Sequence, residues 1–164
     1  MRWDGPVPEG FNVHLLKTKG WSNHARSMFF AEQVSRQLAV EQYDVVIGFN
    51  KMPHLDLYYA ADVCYQARVK EQRHAFYQLL PRYQTWLQLE KSVFAPGQKT
   101  EIMLISPLQQ KEYTACYQTE ADRFHLLPPG IAKDRIAPPN AAAIRDQVRA
   151  EYQLKDDEKL LLMV

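Results

Sequence analysis

Asn50, Lys51 and Asp62 are the side chains in this sequence best placed to act together. An amide, an ammonium and a carboxylate brought to one rim would make a polar binding site able to donate, accept and offset charge. Their spacing supports that placing. Val45, Val46 and Ile47 form a β-branched run of the kind found in strands buried on both faces. Gly48 ends the run, and Asn50, Lys51, Pro53 and His54 make a polar loop just beyond it. Leu57 to Ala61 reads as a second strand, with Asp62 where that strand finishes. In an open parallel sheet, ligands bind in the crevice beyond the carboxyl ends of the strands. The plainer alternative is that Gly48 and Pro53 only turn the chain and that the polar residues are solvated.

Two further stretches carry chemical signals. Ser22-Asn23-His24-Ala25-Arg26 opens a predicted helix, where free N–H groups, the helix dipole, His24 and Arg26 could hold an anion. A plain N-cap followed by exposed polar residues fits the same residues. From Tyr65 to Phe94 the basic residues Arg68, Lys70, Arg73, Arg82 and Lys91 outnumber Glu71 and Glu90, in a chain whose net charge is only +1. Aromatic residues interleave them: Tyr65, Phe76, Tyr77, Tyr83, Trp86 and Phe94. Phe76, Leu80, Tyr83, Leu87 and Phe94 recur at helical intervals and predict one apolar stripe. Such a helix, with cationic flanks and Tyr and Trp at its edges, suits an anionic membrane surface. It suits equally an amphipathic helix packed on its own sheet.

The elements that must position these residues alternate. Phe11, Val13 and Leu15 predict a strand, and Ser22 to Leu38 a helix with Phe29, Val34 and Leu38 on its apolar face. The two central strands follow, then the long helical pattern, which Pro81 should kink or split. Thr100 to Ile105 is a strand, Pro107 opens a helix through about Tyr117, and Phe124 to Leu127 is a short strand. After Pro128-Pro129-Gly130, Asn140 caps a helix from Ala141 to Tyr152, and Lys159 to Val164 reads as a buried strand. The expectation is an α/β fold: an incomplete Rossmann-like parallel sheet with helices on both faces. Residues 1–130 form one domain, and 131–164 a linker with the first helix and strand of a second.

What is missing narrows the chemistry. The six glycines form neither GxGxxG nor a Walker loop, and the chain has no GxSxG or HExxH. Cys64 and Cys116 stand alone, without the pairing of a zinc site, and a reducing cytoplasm is the simplest compartment. No apolar run approaches the roughly 20 residues of a membrane-spanning helix.

Several strings together resemble one family. Gly48-Phe49-Asn50-Lys51-Met52-Pro53, Leu55-Asp56 and Ala60-Ala61-Asp62-Val63-Cys64-Tyr65 are similar to the lipopolysaccharide core glucosyltransferase I of Gram-negative bacteria. Trp3-Asp4-Gly5, Asn23-His24 with Arg26, Phe124 to Leu127, Pro128-Pro129-Gly130-Ile131 and Asp134-Arg135 fit in the same order. The resemblance implies a retaining transferase of the GT-B fold, two Rossmann-like domains flanking a cleft. It implies glucose transfer from UDP-glucose to the inner-core heptose, without a metal or other cofactor. The enzyme would work on the cytoplasmic face, peripheral on the inner membrane, with UDP-sugar, core acceptor and an anionic membrane as its partners. Nucleic acid is not expected.

Carried over to this chain, the resemblance makes Asp62 the catalytic residue, touching the transferred glucose through its carboxylate or backbone oxygen. Asn50 and Lys51 would position hydroxyls and phosphate, and His24 and Arg26 the anions of the acceptor. Arg68, Lys70, Arg73, Phe76, Tyr77, Arg82, Tyr83 and Trp86 would face the membrane. The family's first strand with its Gly-Gly loop, and its basic pair and two-glutamate motif, have no counterpart here, so the chain by itself is expected to be inactive. Two competing readings stay open: a non-catalytic membrane- or partner-binding module built on residues 65–94, and a GT-B transferase that uses another sugar.

Overall fold

The computed structural model describes residues 5–130, 132 and 135–161. Readings that fall on Trp3, Asp4, Ile131, Asp134 and residues 162–164 lie outside the described residues. The chain divides into two compact units, Met1–Pro128 and Pro129–Val164; the sequence reading places the boundary after Gly130.

In the first unit, four parallel strands make one sheet: β1 (Ile47–Gly48), β2 (Leu57–Ala60), β3 (Glu101–Leu104) and β4 (Phe124–Leu126), side by side in chain order. Helices flank them: α1 (Asn23–Leu38), α2 (Tyr65–Gln72), α3 (Pro81–Phe94) and α4 (Pro107–Tyr117), with a short 3₁₀ turn at Ala75–Leu79. This is the expected α/β class, a parallel sheet flanked by helices. Burial alternates along the central strands, as the two-residue repeat requires. Tyr58, Ala60, Ile102 and Leu104 are buried, while Leu57, Tyr59 and Met103 are half-buried. Against the buried set pack Ala31 of α1, Leu89, Val93 and Phe94 of α3, and Tyr113 and Tyr117 of α4. The Phe94 and Tyr113 rings stack with centroids 3.6 Å apart, and Tyr58 meets Phe94 edge-on.

Local signals explain the helix starts. Ser22 Oγ accepts the Ala25 N–H, capping α1. Ser106 and Gln109 form a reciprocal capping box ahead of α4, and Pro107 and Pro81 occupy first turns that need no N–H. Pro81 therefore begins a helix rather than kinking one. Gly48 packs closely on the Leu55 side chain, which would have to shift to admit a Cβ there.

Several expectations need correcting. Residues 11–15 form no strand, and Phe11 and Leu15 lie exposed, because no neighbouring strand pairs with them. The Val45–Ile47 run contributes only Ile47 to β1, and Val45 and Ile47 are 57% and 55% exposed. The reason is position: β1 is an outer strand, not one covered on both sides. On α1, the stripe that meets the core runs through Met28, Phe30, Ala31 and Val34 rather than through Phe29 and Leu38. The pattern from Tyr65 to Phe94 is three elements, so Phe76 (83% exposed) and Leu80 do not share a stripe with Phe94. Lys159–Leu161 form no strand and are exposed.

The second unit contains α5 (Ala141–Glu151). Asn140 precedes it without a side-chain cap bond. Its last turn is tied locally: Arg149 donates to the carbonyls of Lys155 and Glu158, and the Leu154 N–H returns to the Arg149 carbonyl.

Arg123 closes the bottom of the sheet. Its buried guanidinium donates to the carbonyls of Val93 (2.5 Å) and Ala95 (3.2 Å) at the end of α3. It also donates to the Thr100 carbonyl ahead of β3 from both Nε and Nη2, at 3.0 and 2.9 Å. A cation at a helix C-terminus complements the dipole there and satisfies carbonyls that the last turn leaves without an intrahelical donor. Arg123→Met should cost about 3 kcal/mol or more, because it strands buried acceptors. Urea denaturation of the two proteins measures it.

Candidate functional site

At the carboxyl ends of β1 and β2 lies a cavity of about 430 Å³. Asn50 and Lys51, from the loop after β1, and Asp62, from the loop after β2, all line it. Arg26, Ser27, Phe30 and Ala31 of α1 contribute one wall, and Tyr65 and Arg68 of α2 another. Met52, Trp86 and Leu89 complete the apolar part of the lining. The three residues singled out at the strand ends are thus gathered in one hollow, and Arg26 joins them.

Glu90 organises the cavity and was not anticipated. It sits on α3 with 0% exposure, and its carboxylate collects donors from three other parts of the chain. Lys51 Nζ lies 2.6 Å from Oε1, and the Tyr65 and Gln66 N–H groups donate at 2.9 Å. The Tyr117 hydroxyl of α4 donates to Oε2. One buried carboxylate therefore caps the first turn of α2, neutralises Lys51 and ties α4 to α3. Lys51 Nζ donates a second bond to the Val63 carbonyl at 3.1 Å and lies 5.7 Å from the centre of the Tyr113 ring. The expected role of Lys51 as a point charge for phosphate meets a limit here, since its charge is already matched within the protein.

The segment bearing Asp62 is fixed from the opposite side. Gln109 Nε2 donates to the carbonyls of Ala60 (2.7 Å) and Asp62 (2.9 Å), and the Tyr113 hydroxyl donates to the Asp62 carbonyl at 3.3 Å. The Asp62 backbone oxygen is thus engaged, which leaves the exposed carboxylate as the group that can meet a ligand. Among the described residues that carboxylate has no hydrogen-bond partner.

Other expected site residues separate. His24 is not in the cavity lining; it pairs with Ser22 Oγ at 3.2 Å, beside its own helix cap. Arg26 is held by a bond from Nε to the Gly20 carbonyl at 2.9 Å. Gly20 turns at φ +137°, where a Cβ would also lie 3.0 Å from that of Ala25. Of the residues expected to face a membrane, Arg68, Lys70, Arg73, Phe76 and Arg82 are exposed and Tyr77 half-buried. Tyr83 is only 4% exposed, lying between the Tyr65 and Tyr77 rings, and half-buried Trp86 packs against the core and faces the cavity. Arg68 belongs to the cavity wall as well. These aromatic side chains hold α2, the 3₁₀ turn and α3 together, which is why they are not at the surface.

No helix of the described residues is long and apolar enough to cross a membrane. Nor do three His, Cys, Asp or Glu side chains gather as they would around a metal ion among those residues.

Comparison with known proteins bears out the resemblance read in the sequence. No family model matches the chain. It is 36% identical over 162 residues to the lipopolysaccharide glucosyltransferase WaaG of Escherichia coli (strain K12), covering 99% of this chain and 43% of that protein. The chain therefore spans less than half the length of the curated relative it matches. Its structure is similar to the crystal structure of WaaG, a glycosyltransferase involved in lipopolysaccharide biosynthesis, with a TM-score of 0.79 and 35% identity. That match covers 96% of this chain and 42% of the other.

The Glu90 cluster yields two expectations. Lys51→Met leaves a dry carboxylate short of its cation and should destabilise the protein by about 3 kcal/mol in urea. Burial, and then the nearby Glu90 carboxylate, push the Cys64 thiol up. Iodoacetamide at pH 8 should therefore label Cys116 in the native protein and reach Cys64 only on unfolding, read by peptide mass mapping.

Proposed function

We propose that this chain supplies the acceptor-binding half of a hexosyltransferase of lipopolysaccharide core synthesis. In that reading, glucose passes from UDP-glucose to the inner-core heptose with retention, at the cytoplasmic face of the inner membrane. The observation that carries the proposal is the convergence of Arg26, Asn50, Lys51 and Asp62 on one cavity at the strand ends. The likeness to a lipopolysaccharide glucosyltransferase over nearly the whole chain supports the substrate class.

The chemistry follows from the groups present. Retaining hydrolases set two carboxylates about 5–5.5 Å apart, one serving as nucleophile; in the cavity, Asp62 is the carboxylate that faces a ligand. We therefore favour front-face displacement, in which the departing UDP β-phosphate takes the acceptor proton as the new glycosidic bond forms. Asp62 accepts a hydrogen bond from a sugar hydroxyl and so orients the ring. Asn50, and the N–H of Lys51 not held by Glu90 or Val63, donate to acceptor oxygens. This assigns the protein orientation and electrostatic stabilisation of an oxocarbenium-like state, with no metal ion in the scheme.

Membrane contact is the second part of the proposal. Lys70, Arg73 and Arg82 are exposed beside Phe76 and Leu79, which are 83% and 77% exposed. Cations around exposed apolar side chains suit an anionic lipid surface. Phe76→Ser with Leu79→Ser should abolish flotation with phosphatidylglycerol vesicles while leaving the melting temperature unchanged.

The transferase reading is tested by grafting residues 1–164 in place of the matching stretch of the Escherichia coli relative. The chimaera should move radioactive glucose from UDP-glucose to a core acceptor lacking it, whereas the 164-residue chain alone should not. Asp62→Ala in the chimaera should lower turnover about a hundredfold with little change in melting temperature. A folded chimaera without transfer would overturn the proposal, and equal losses of turnover and stability would make Asp62 structural.

A further inference from the structure

We propose that Cys64 and Cys116 are a modification site: a dithiol pair that oxidation closes into an intrachain disulfide beside the Glu90 cluster. The inference is separate from the transferase reading and needs no sugar in the cavity. Cys64 stands immediately ahead of α2 and is 1% exposed. Cys116 comes from the last turn of α4 and is half-buried. These two helices pack on one another, Cys116 lies against the core cluster that holds Cys64, and the two thiols meet side chain to side chain. A third group marks the same spot. Cys64 Sγ lies 4.0 Å from Glu90 Oε2, and the Tyr117 hydroxyl, next along the chain from Cys116, donates to that oxygen.

A buried thiol by itself packs as a small apolar side chain. A second thiol against it changes what is possible, because a disulfide needs two sulfurs brought together by elements already packed. Zinc is the other common use of paired thiols, but it takes four ligands in a structural site and three in a catalytic one. Among the described residues no group of three His, Cys, Asp or Glu side chains forms such a set. The nearest carboxylate, Glu90, is already engaged by Lys51, the start of α2 and Tyr117. Sulfur–sulfur bonding is the chemistry left to the pair.

The two sulfurs take different parts. Cys64 is sealed from solvent, whereas Thr114, Ala115 and Gln118 around Cys116 are exposed, so an oxidant meets Cys116 first. With a small disulfide such as oxidised glutathione, the Cys116 thiolate attacks one sulfur and expels one glutathione thiolate, leaving a mixed disulfide. The Cys64 sulfur then attacks Cys116 Sγ, and the bond between the two cysteines forms as the bond to glutathione breaks. The electron pair leaves on the glutathione sulfur, which takes up the proton that Cys64 gives up. Two protein thiols are thereby oxidised, and one glutathione disulfide is reduced to two glutathiones. In a reducing compartment the pair rests as thiols and closes only under oxidation. Asp62 lies just ahead of Cys64, so the closed bridge ties its loop covalently to α4, which otherwise holds it through Gln109 and Tyr113.

Peptide mapping of the oxidised chain tests this. The reduced 164-residue protein is incubated with oxidised glutathione, quenched in acid, alkylated while unfolded and cut with trypsin. The expected product runs as a monomer on a non-reducing gel, is lighter than the reduced chain by two hydrogens, and has residues 52–68 joined to residues 112–123. Dithiothreitol should return both thiols. Cys64→Ser should stop at the mixed disulfide, with one glutathione on Cys116, and Cys116→Ser should take up none. The bridge should survive at least about tenfold more reduced glutathione in the native protein than in urea, because the fold holds the sulfurs together.

A native chain that keeps glutathione on Cys116 while Cys64 stays reduced would overturn the inference. So would a dimer linked through Cys116, or a bridge no more resistant to reduction in the native protein than in urea. If a serine variant fails to fold, the joined peptides of the unsubstituted chain decide the matter by themselves. Glucose transfer by a chimaera whose thiols never join would leave the transferase reading standing and remove this one. A bridge that closes as described in a chimaera that transfers nothing gives the reverse.

Discussion

A single dry carboxylate holds the working end of this domain together. Removing a charge from water costs several kcal/mol, and only close partners offset it. Glu90 finds an ammonium, two helix N–H groups and a phenol, each delivered by a different part of the chain. Every one of those partners is in turn fixed by the bond. The loop after β1 cannot swing away without losing Lys51, and α2 cannot shift without uncapping its first turn. The cavity between them keeps its shape for electrostatic reasons as much as for packing ones.

The side of the cavity carrying Asp62 is built on a different principle. Gln109 and Tyr113 reach from α4 to grip backbone oxygens rather than side chains. That grip fixes where the aspartate stands while leaving its carboxylate unspent. A functional side chain whose main chain is pinned and whose own oxygens are open is rigid in position and available for contact, the combination that orientation requires.

The strand ends were legible from the residues because punctuation is local. Gly48 after a β-branched run, and Asp62 after Leu57–Ala61, mark where chains leave a sheet whatever surrounds them. The start of α4 was equally plain, since Pro107 suits a first helical turn. What escaped depended on contacts distant in sequence. Glu90 counted as one acid among basic neighbours, although it lies seven residues after Tyr83 and four before Phe94, on the buried stripe of its helix. A charged residue in that register was the available sign of a buried pair. Tyr83 and Trp86, interleaved with cations, read as surface residues, yet three elements have to be joined and the rings are what join them. Arg123 gave no local hint, because its partners are carbonyls of residues 93, 95 and 100.

The Glu90 contacts also bear on the order in which the domain can assemble. Lys51 lies 39 residues before Glu90 and Tyr117 lies 27 after it, so closing the cluster requires two long loops to be drawn in. Until both have arrived, the carboxylate keeps its water and α3 cannot seat fully. The hollow that receives a ligand therefore takes its shape only when both of these distant contacts have closed.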